Sequence, residues 1–339
     1  MFHTWHSKQK PVFTGFRYGF GRAEVASSGL ALIEQPGTYK TKGWWSGTSD
    51  RNTFSVTWAS DTTVTTSLGQ GPNFGSGGGS GWSTTSYGWW YGGYTNNEGT
   101  KTDIYRLDYS NDTADLADRA NMTQGRGGSH QGGYNSSFGY VSGGMYGNSG
   151  SSVSRVDRYQ FATDTSNSVQ RMEQAEGRAR CHGTGSDHGT YLWFIMWTYG
   201  GAGGVTGAKR TYCYRLTYAS DSASIADRFD HEGGQGGVAS TPDNGWVGPG
   251  GGYFNTSNIR RITWASDTSG LTVRAAFPHV NQSWNGSLNN LHIWWWHRTG
   301  SQSNLYRMGM STDVVTAELR AQASVTANKS PSVTSSFSS

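Results

Sequence analysis

Apolar and polar positions alternate with a period of two in short runs, and those runs return at intervals along the chain. In one of them Ile104, Arg106 and Asp108 alternate with Tyr105, Leu107 and Tyr109. That alternation predicts a strand from Asp103 to Tyr109 with its apolar set on one face. The turn Ser110-Asn111-Asp112-Thr113 follows. Asn and Asp side chains can bond nearby backbone N–H groups and tolerate left-handed dihedrals, so a turn is expected there.

The run is one copy of a repeat. Residues 105–113 read YRLDYSNDT and 214–222 read YRLTYASDS. Residues 54–62 read FSVTWASDT, 157–165 read DRYQFATDT and 260–268 read RRITWASDT. A weaker copy, YRMGMSTDV, occupies 306–314. The shared aspartates are Asp61, Asp112, Asp164, Asp221, Asp267 and Asp313, at spacings of 51, 52, 57, 46 and 46. Seven residues later five copies carry an arginine (Arg119, Arg171, Arg228, Arg274 and Arg320), and the first carries Leu68. An aromatic segment near glycine precedes each aspartate, such as Gly43-Trp44-Trp45, Trp89-Trp90-Tyr91-Gly92-Gly93 and Trp294-Trp295-Trp296.

Each unit reads as four short strands. In the second these are a glycine-rich stretch near 75–84, an aromatic strand near 87–92, the alternating strand, and a last strand near 114–119. A repeated four-stranded unit of this length is the pattern of a β-propeller blade. The fold class expected is therefore all-β, a six-bladed propeller over residues 20–320. Residues 1–19 are expected as an extended N-terminal arm, and 321–339 as a Ser/Thr-rich C-terminal tail.

Composition then makes sense. The chain has 339 residues, with 50 glycines and only 7 prolines; Trp, Tyr and Phe number 15, 18 and 13. Glycine lets backbones approach where sheets crowd, and rings fill the wide faces between them. Glycine without a three-residue period excludes collagen. Net charge is +4 without a basic run, which speaks against a nucleic-acid partner. The longest strongly apolar run, Tyr191 to Trp197, is too short for a membrane-spanning helix, so no membrane insertion is expected. The N-terminus MFHTWHSKQKPVF lacks the apolar core of a secretory signal. The chain is expected to be made in a cytoplasm.

Catalytic chemistry finds little support. The aspartates and arginines recur in nearly every copy, whereas a catalytic set should be asymmetric. They read as structural, with Asp capping a turn and Arg packed between blades. Cys181-His182 with His188 is the nearest approach to a metal cluster and matches no usual zinc spacing. No cofactor or metal is expected. Cys213 sits between Tyr212 and Tyr214, but strand neighbours point to opposite faces, which opposes a Cys–Tyr crosslink. Both cysteines read as small buried residues. Binding suits the rings better, since Trp and Tyr stack on sugars and anchor interfaces. The candidates on loops after the aromatic strands are Tyr91, Tyr94, Asn96, Asn97, Tyr146, Asn148, Tyr253, Asn255, His297 and Arg298.

The double glycine after an aromatic strand, and a Tyr or Trp three residues before the aspartate, resemble the Kelch repeat. The wording YRLDYSNDTADLADR, then SSFGYVSGG, across 105–144 resembles repeats in virion proteins of marine cyanophages and related tailed phages. That resemblance implies a non-enzymatic structural protein of a tail fibre, tail or capsid. Its partners would be other virion proteins, copies of itself and a host surface glycan, and its place would be the virion. A carbohydrate-active propeller enzyme and a Kelch-type interaction adaptor are the alternatives.

Overall fold

The computed structural model describes residues 42–334. The exceptions are 47–50, 52, 63, 66–67, 72–79, 96–98, 128–130, 147–150, 179–189, 198–210, 223–225, 232–237, 242, 249–256, 269, 279–282, 289–290, 300–301, 314–315 and 324–331. All described residues belong to one compact unit, Tyr39–Phe337. The expected arm at 1–19 lies outside them.

The first sheet begins with β1 (Lys42–Ser46), β2 (Phe54–Thr57) and β3 (Val64–Thr65). The second contains β4 (Ser80–Ser83), β5 (Tyr87–Tyr91), β6 (Tyr94–Thr95), β7 (Gly99–Asp108) and β8 (Ala117–Arg126). The third contains β9 (Gln131–Tyr134), β10 (Phe138–Ser142), β11 (Met145–Tyr146), β12 (Ser151–Gln160) and β13 (Val169–Arg178). The fourth has β14 (Tyr191–Trp197), β15 (Thr211–Thr217) and β16 (Ala226–His231). The fifth has β17 (Val238–Ser240), β18 (Asn244–Val247), β19 (Asn258–Thr263) and β20 (Thr272–Ala276). The sixth has β21 (Ser283–Leu288), β22 (His292–Thr299), β23 (Gln302–Gly309) and β24 (Glu318–Ala323). The last strand, β25 (Ser332–Thr334), pairs antiparallel with β1 and gives the first sheet the order β25-β1-β2-β3.

This is a β-propeller arrangement of antiparallel meanders. The expectation of six four-stranded blades is not matched among the described residues. Five sheets carry four or more strands, and the fourth carries three. The residues that would precede β14 as its inner strand lie outside the described set.

The core is divided among the faces between sheets. Trp45, Phe54 and Val56 of the first sheet pack with Trp294, Leu305 and Ala321 of the sixth. Ile259, Ala275 and Phe277 of the fifth pack with Ile293, Trp295 and Tyr306 of the sixth. Equivalent apolar clusters join the first to the second, the second to the third, the third to the fourth and the fourth to the fifth. Both faces of a sheet are therefore buried. Ile104 joins the cluster toward the third sheet and Leu107 the cluster toward the first. The expectation of a single apolar face on this strand is corrected accordingly. A free-standing sheet would show one face to water, but a sheet held between two others cannot.

Two strands also differ in extent from their expected bounds. β7 begins at Gly99 rather than Asp103, and β8 runs to Arg126 rather than ending near 119. β7 is long because it pairs with β5 through its second half and with β6 through its first. The break between β5 and β6 is the double glycine. Gly92 and Gly93 have φ of 72° and 114°, and Gly143 and Gly144 repeat this with 69° and 100°. These left-handed values favour glycine and explain the pair at this bend.

The expected C-terminal tail changes character. Residues 321–323 end β24, and 332–334 form β25 on the first sheet. The strand lies beside β21 of the last sheet and β4 of the second. The last stretch of chain thus joins the sheet built by the first, as a latch.

Candidate functional site

The repeat aspartates build the polar contacts between sheets. A 3-10 turn precedes the aspartate in five copies, for example Trp264–Ser266 before Asp267 and Tyr218–Ser220 before Asp221. Each aspartate closes this turn with its backbone and directs its carboxylate to the preceding sheet. The expected turn-capping role is therefore revised.

At the fourth–fifth interface, Asp267 Oδ1 accepts from Arg228 Nε at 2.9 Å and Nη2 at 2.7 Å. Its Oδ2 accepts from Trp193 Nε1 at 2.6 Å and Arg215 Nη1 at 3.4 Å. Asp313 repeats this with Arg274, Trp246 and Arg261. Asp61 does so with Arg320, Trp294 and Arg307 of the sixth sheet, across the junction of chain start and chain end. Asp221 uses Arg171, Arg158 and the hydroxyl of Tyr140. Asp164 takes Arg119 and Arg106.

Burial pushes the carboxyls of Asp61, Asp221, Asp267 and Asp313 up. The arginine and ring hydrogen bonds and the nearby guanidinium charges outweigh it, so all four lie below the usual aspartate range. Burial and Asp221 together push the Tyr140 hydroxyl well up, so it stays a donor.

Rings interlock above these clamps. In four copies the residue three before the aspartate stacks on a strand ring of the preceding sheet, and Tyr218 lies tilted on Tyr140 at 5.4 Å. Tyr109 lies on Trp44 at 4.2 Å, Phe161 on Trp89 at 4.3 Å, Trp264 on Trp193 at 4.5 Å and Trp58 on Trp294 at 4.1 Å between centroids. Arg106, Arg158 and Arg215 also sit over Tyr87, Phe138 and Tyr191 at 4.3, 4.4 and 4.3 Å.

The sequence reading missed one arginine of each pair. Arg106, Arg158, Arg215, Arg261 and Arg307 each stand six residues before an aspartate, in the same register as the one identified seven after. It also missed Arg126, which is fully buried between the second and third sheets. Arg126 Nη1 donates to the carbonyls of Gly143 and Arg155 at 2.8 and 2.9 Å, and Nη2 lies 3.2 Å from Asp157. Its signal was present, since Arg126 and Arg178 both stand fourteen residues after an aspartate.

The first–second interface breaks the pattern. Ser55 and Leu68 stand where the other copies carry the two arginines. Asp112 accepts instead from Lys42 Nζ at 3.2 Å and Trp44 Nε1 at 2.9 Å. Leu68 packs with Trp44, Trp90, Leu107 and Leu116. A cleft of about 470 Å³ opens here, lined by Lys42, Trp44, Thr85, Ser86, Tyr87, Asp108, Tyr109 and Ser110.

The predicted binding residues do not gather at one place. Tyr91 is fully buried and stacks on Trp82 at 4.1 Å between centroids, so it is a core ring and not a surface contact. Tyr94 is half-buried in β6, and Tyr146 is exposed in β11. His297 and Arg298 belong to β22, where their backbones pair with Asn304 and Ser303. Asn96, Asn97, Asn148, Tyr253 and Asn255 lie outside the described residues. So do Cys181, His182 and His188. Cys213 is buried in a cluster with Trp193 and Val247, while Tyr214 belongs to the cluster on the opposite face with Tyr140. Among the described residues no group of three or more His, Cys, Asp or Glu could hold a metal ion. No protein-family model matches this sequence, and no curated protein matches it either.

Proposed function

We propose that this chain is a non-enzymatic structural component of a tailed-phage particle: a Kelch-like propeller of six blades, carried on a fibre, tail or capsid. The observation that carries the reading is the commitment of the repeat's ionisable groups to contacts between sheets. Asp61, Asp221, Asp267 and Asp313 each bind two arginines of the preceding sheet and are held ionised. Catalytic acids are poised near the working pH, and these are driven away from it. In this reading the three-stranded fourth sheet counts as a blade, because apolar clusters join it to both neighbours. The double glycines with left-handed φ support the Kelch likeness, and the repeat wording at 105–144 supports the phage one. Its partners are other virion proteins and further copies of the chain, with a host glycan as the outward contact.

The test is purification of intact particles from a lysate that expresses the chain. Co-sedimentation at a fixed copy number per particle is expected. A chain found only free in the lysate would reject the assignment.

A further inference from the structure

The geometry points to a saccharide-binding site in the cleft between the first and second sheets. Its ligand class rests on the glycan-contact part of the proposed function, and its location rests on the interface geometry alone.

The first observation is asymmetry. The second-sheet to sixth-sheet aspartates and Asp61 all face the preceding sheet, yet only at Asp112 do the described contacts include no arginine. Two guanidiniums are replaced there by Ser55 and Leu68, and one ammonium, from Lys42, reaches the carboxylate. Guanidiniums are large, planar and stack on rings, whereas Lys42 presents a compact head on a slim stem. Where Arg106 covers the ring of Tyr87 at the next interface, the corresponding strand position here is Lys42 itself. The smaller set leaves room, and the cleft opens beside Lys42, Trp44 and Tyr109.

The second observation is the lining. About 470 Å³ falls within the usual range for small-molecule sites. Tyr87 and Tyr109 supply part-exposed rings backed by the buried Trp44, while Thr85, Ser86 and Ser110 supply hydroxyls. Lys42 and Asp108 bring one charge of each sign. Thr85, Ser86 and Ser110 are exposed, so the mouth is open to solvent.

This mixture selects among ligand chemistries. A phosphate or carboxylate would meet Asp108, and the one ammonium of the lining is already engaged by Asp112. An apolar ligand would strip water from Lys42 and Asp108 without replacing it. A pyranose meets both demands. Its C–H face lies on the exposed parts of Tyr87 and Tyr109, and its hydroxyls both donate to Asp108, which already accepts from Ser110, and accept from Lys42 and the hydroxyl rim. The class assigned is a short neutral saccharide.

The experiment is calorimetric and NMR titration of the full chain with methyl glycosides of glucose, galactose, mannose and N-acetylglucosamine and with their disaccharides. Ser86→Trp fills the cleft from an exposed position outside the clamps, and Ser110→Trp does so from a second exposed position. Circular dichroism and melting temperature confirm that each variant folds. The expected result is binding of at least one saccharide by the native chain, weakened tenfold or more in both variants. No saccharide binding, binding that both variants leave within twofold, or binding of anionic ligands only would overturn the site. Such a failure beside successful co-sedimentation removes the cleft and leaves the particle assignment standing; the reverse pattern does the opposite.

Discussion

Arg228 on the outer strand of the fourth sheet holds Asp267 of the fifth through two hydrogen bonds to a single carboxylate oxygen, from Nε at 2.9 Å and Nη2 at 2.7 Å. Asp267 is nearly buried, with 4% of its side chain exposed, while Arg228 keeps 22%. The arginine thus retains part of its hydration and the carboxylate does not. This asymmetry favours the pair, because the weakly hydrated guanidinium loses little on partial burial.

Replacing Asp267 with Asn removes the charge and leaves Arg228 and Arg215 facing a neutral group. We expect a loss of about 2–3 kcal/mol, at the low end for breaking a buried pair because both arginines reach water. Urea denaturation of the variant against the native chain measures it. A loss under about 0.5 kcal/mol would show that the clamp is ornamental.

Acid should loosen the ring. Asp61, Asp221, Asp267 and Asp313 have folded pKa values below the ordinary aspartate value of about 3.9. The unfolded chain therefore takes up protons first as pH falls. The stability from these groups is fully present above about pH 5, begins to fall as pH nears the unfolded value and is lost as pH drops through their lower folded values. These four carboxylates should leave melting temperature unchanged from neutrality to about pH 5 and lower it progressively below that. Burial pushes the His292 imidazole below its ordinary value, so His292 adds an earlier and smaller fall. A profile that does not fall below pH 4 would contradict it.

Gly245 lies under Trp264. A Cβ at Gly245 would sit 2.3 Å from the Trp264 ring, and one at Gly43 would sit 2.4 Å from Trp58. The fourth sheet solves the same space with Leu192 and the smaller Tyr218, which pack in one cluster. Gly245→Leu alone should cost about 1–3 kcal/mol through overpacking. Gly245→Leu with Trp264→Tyr should recover part of that, giving a favourable coupling energy in a double-mutant cycle. Strict additivity would mean that the pair does not share the space.

β25 is the latch of the first sheet, pairing Ser332, Val333 and Thr334 with Ser46, Trp45 and Trp44. A chain ending at residue 331 loses these backbone bonds, each worth about 1 kcal/mol. We expect a fall of roughly 4–8 °C in melting temperature, with faster hydrogen exchange confined at first to β1. Unchanged exchange at Trp44 and Trp45 would remove the latch role.

The sequence by itself determined the repeat, the strand-rich class and the register of the interface groups. Each depends on local spacing, which a chain carries in one dimension. The aspartate, the arginine seven after it and the ring three before it could be read off directly. Even Arg106 and its counterparts were present in register, unnoticed because a lone alternating arginine looks like a solvated strand face. The tertiary structure alone decided who meets whom. It sent each carboxylate to the preceding sheet instead of its own turn, since burying both faces of a sheet leaves its polar groups no other partners. It placed Tyr91 in the core, where a glycine-flanked ring had looked like a loop contact. It also turned the Ser/Thr-rich end into a strand of the first sheet. That pairing joins residues nearly three hundred positions apart, and no local pattern encodes it. The cleft followed the same rule: Lys42, Tyr87 and Tyr109 are unremarkable in sequence, and line one opening only once the two sheets meet.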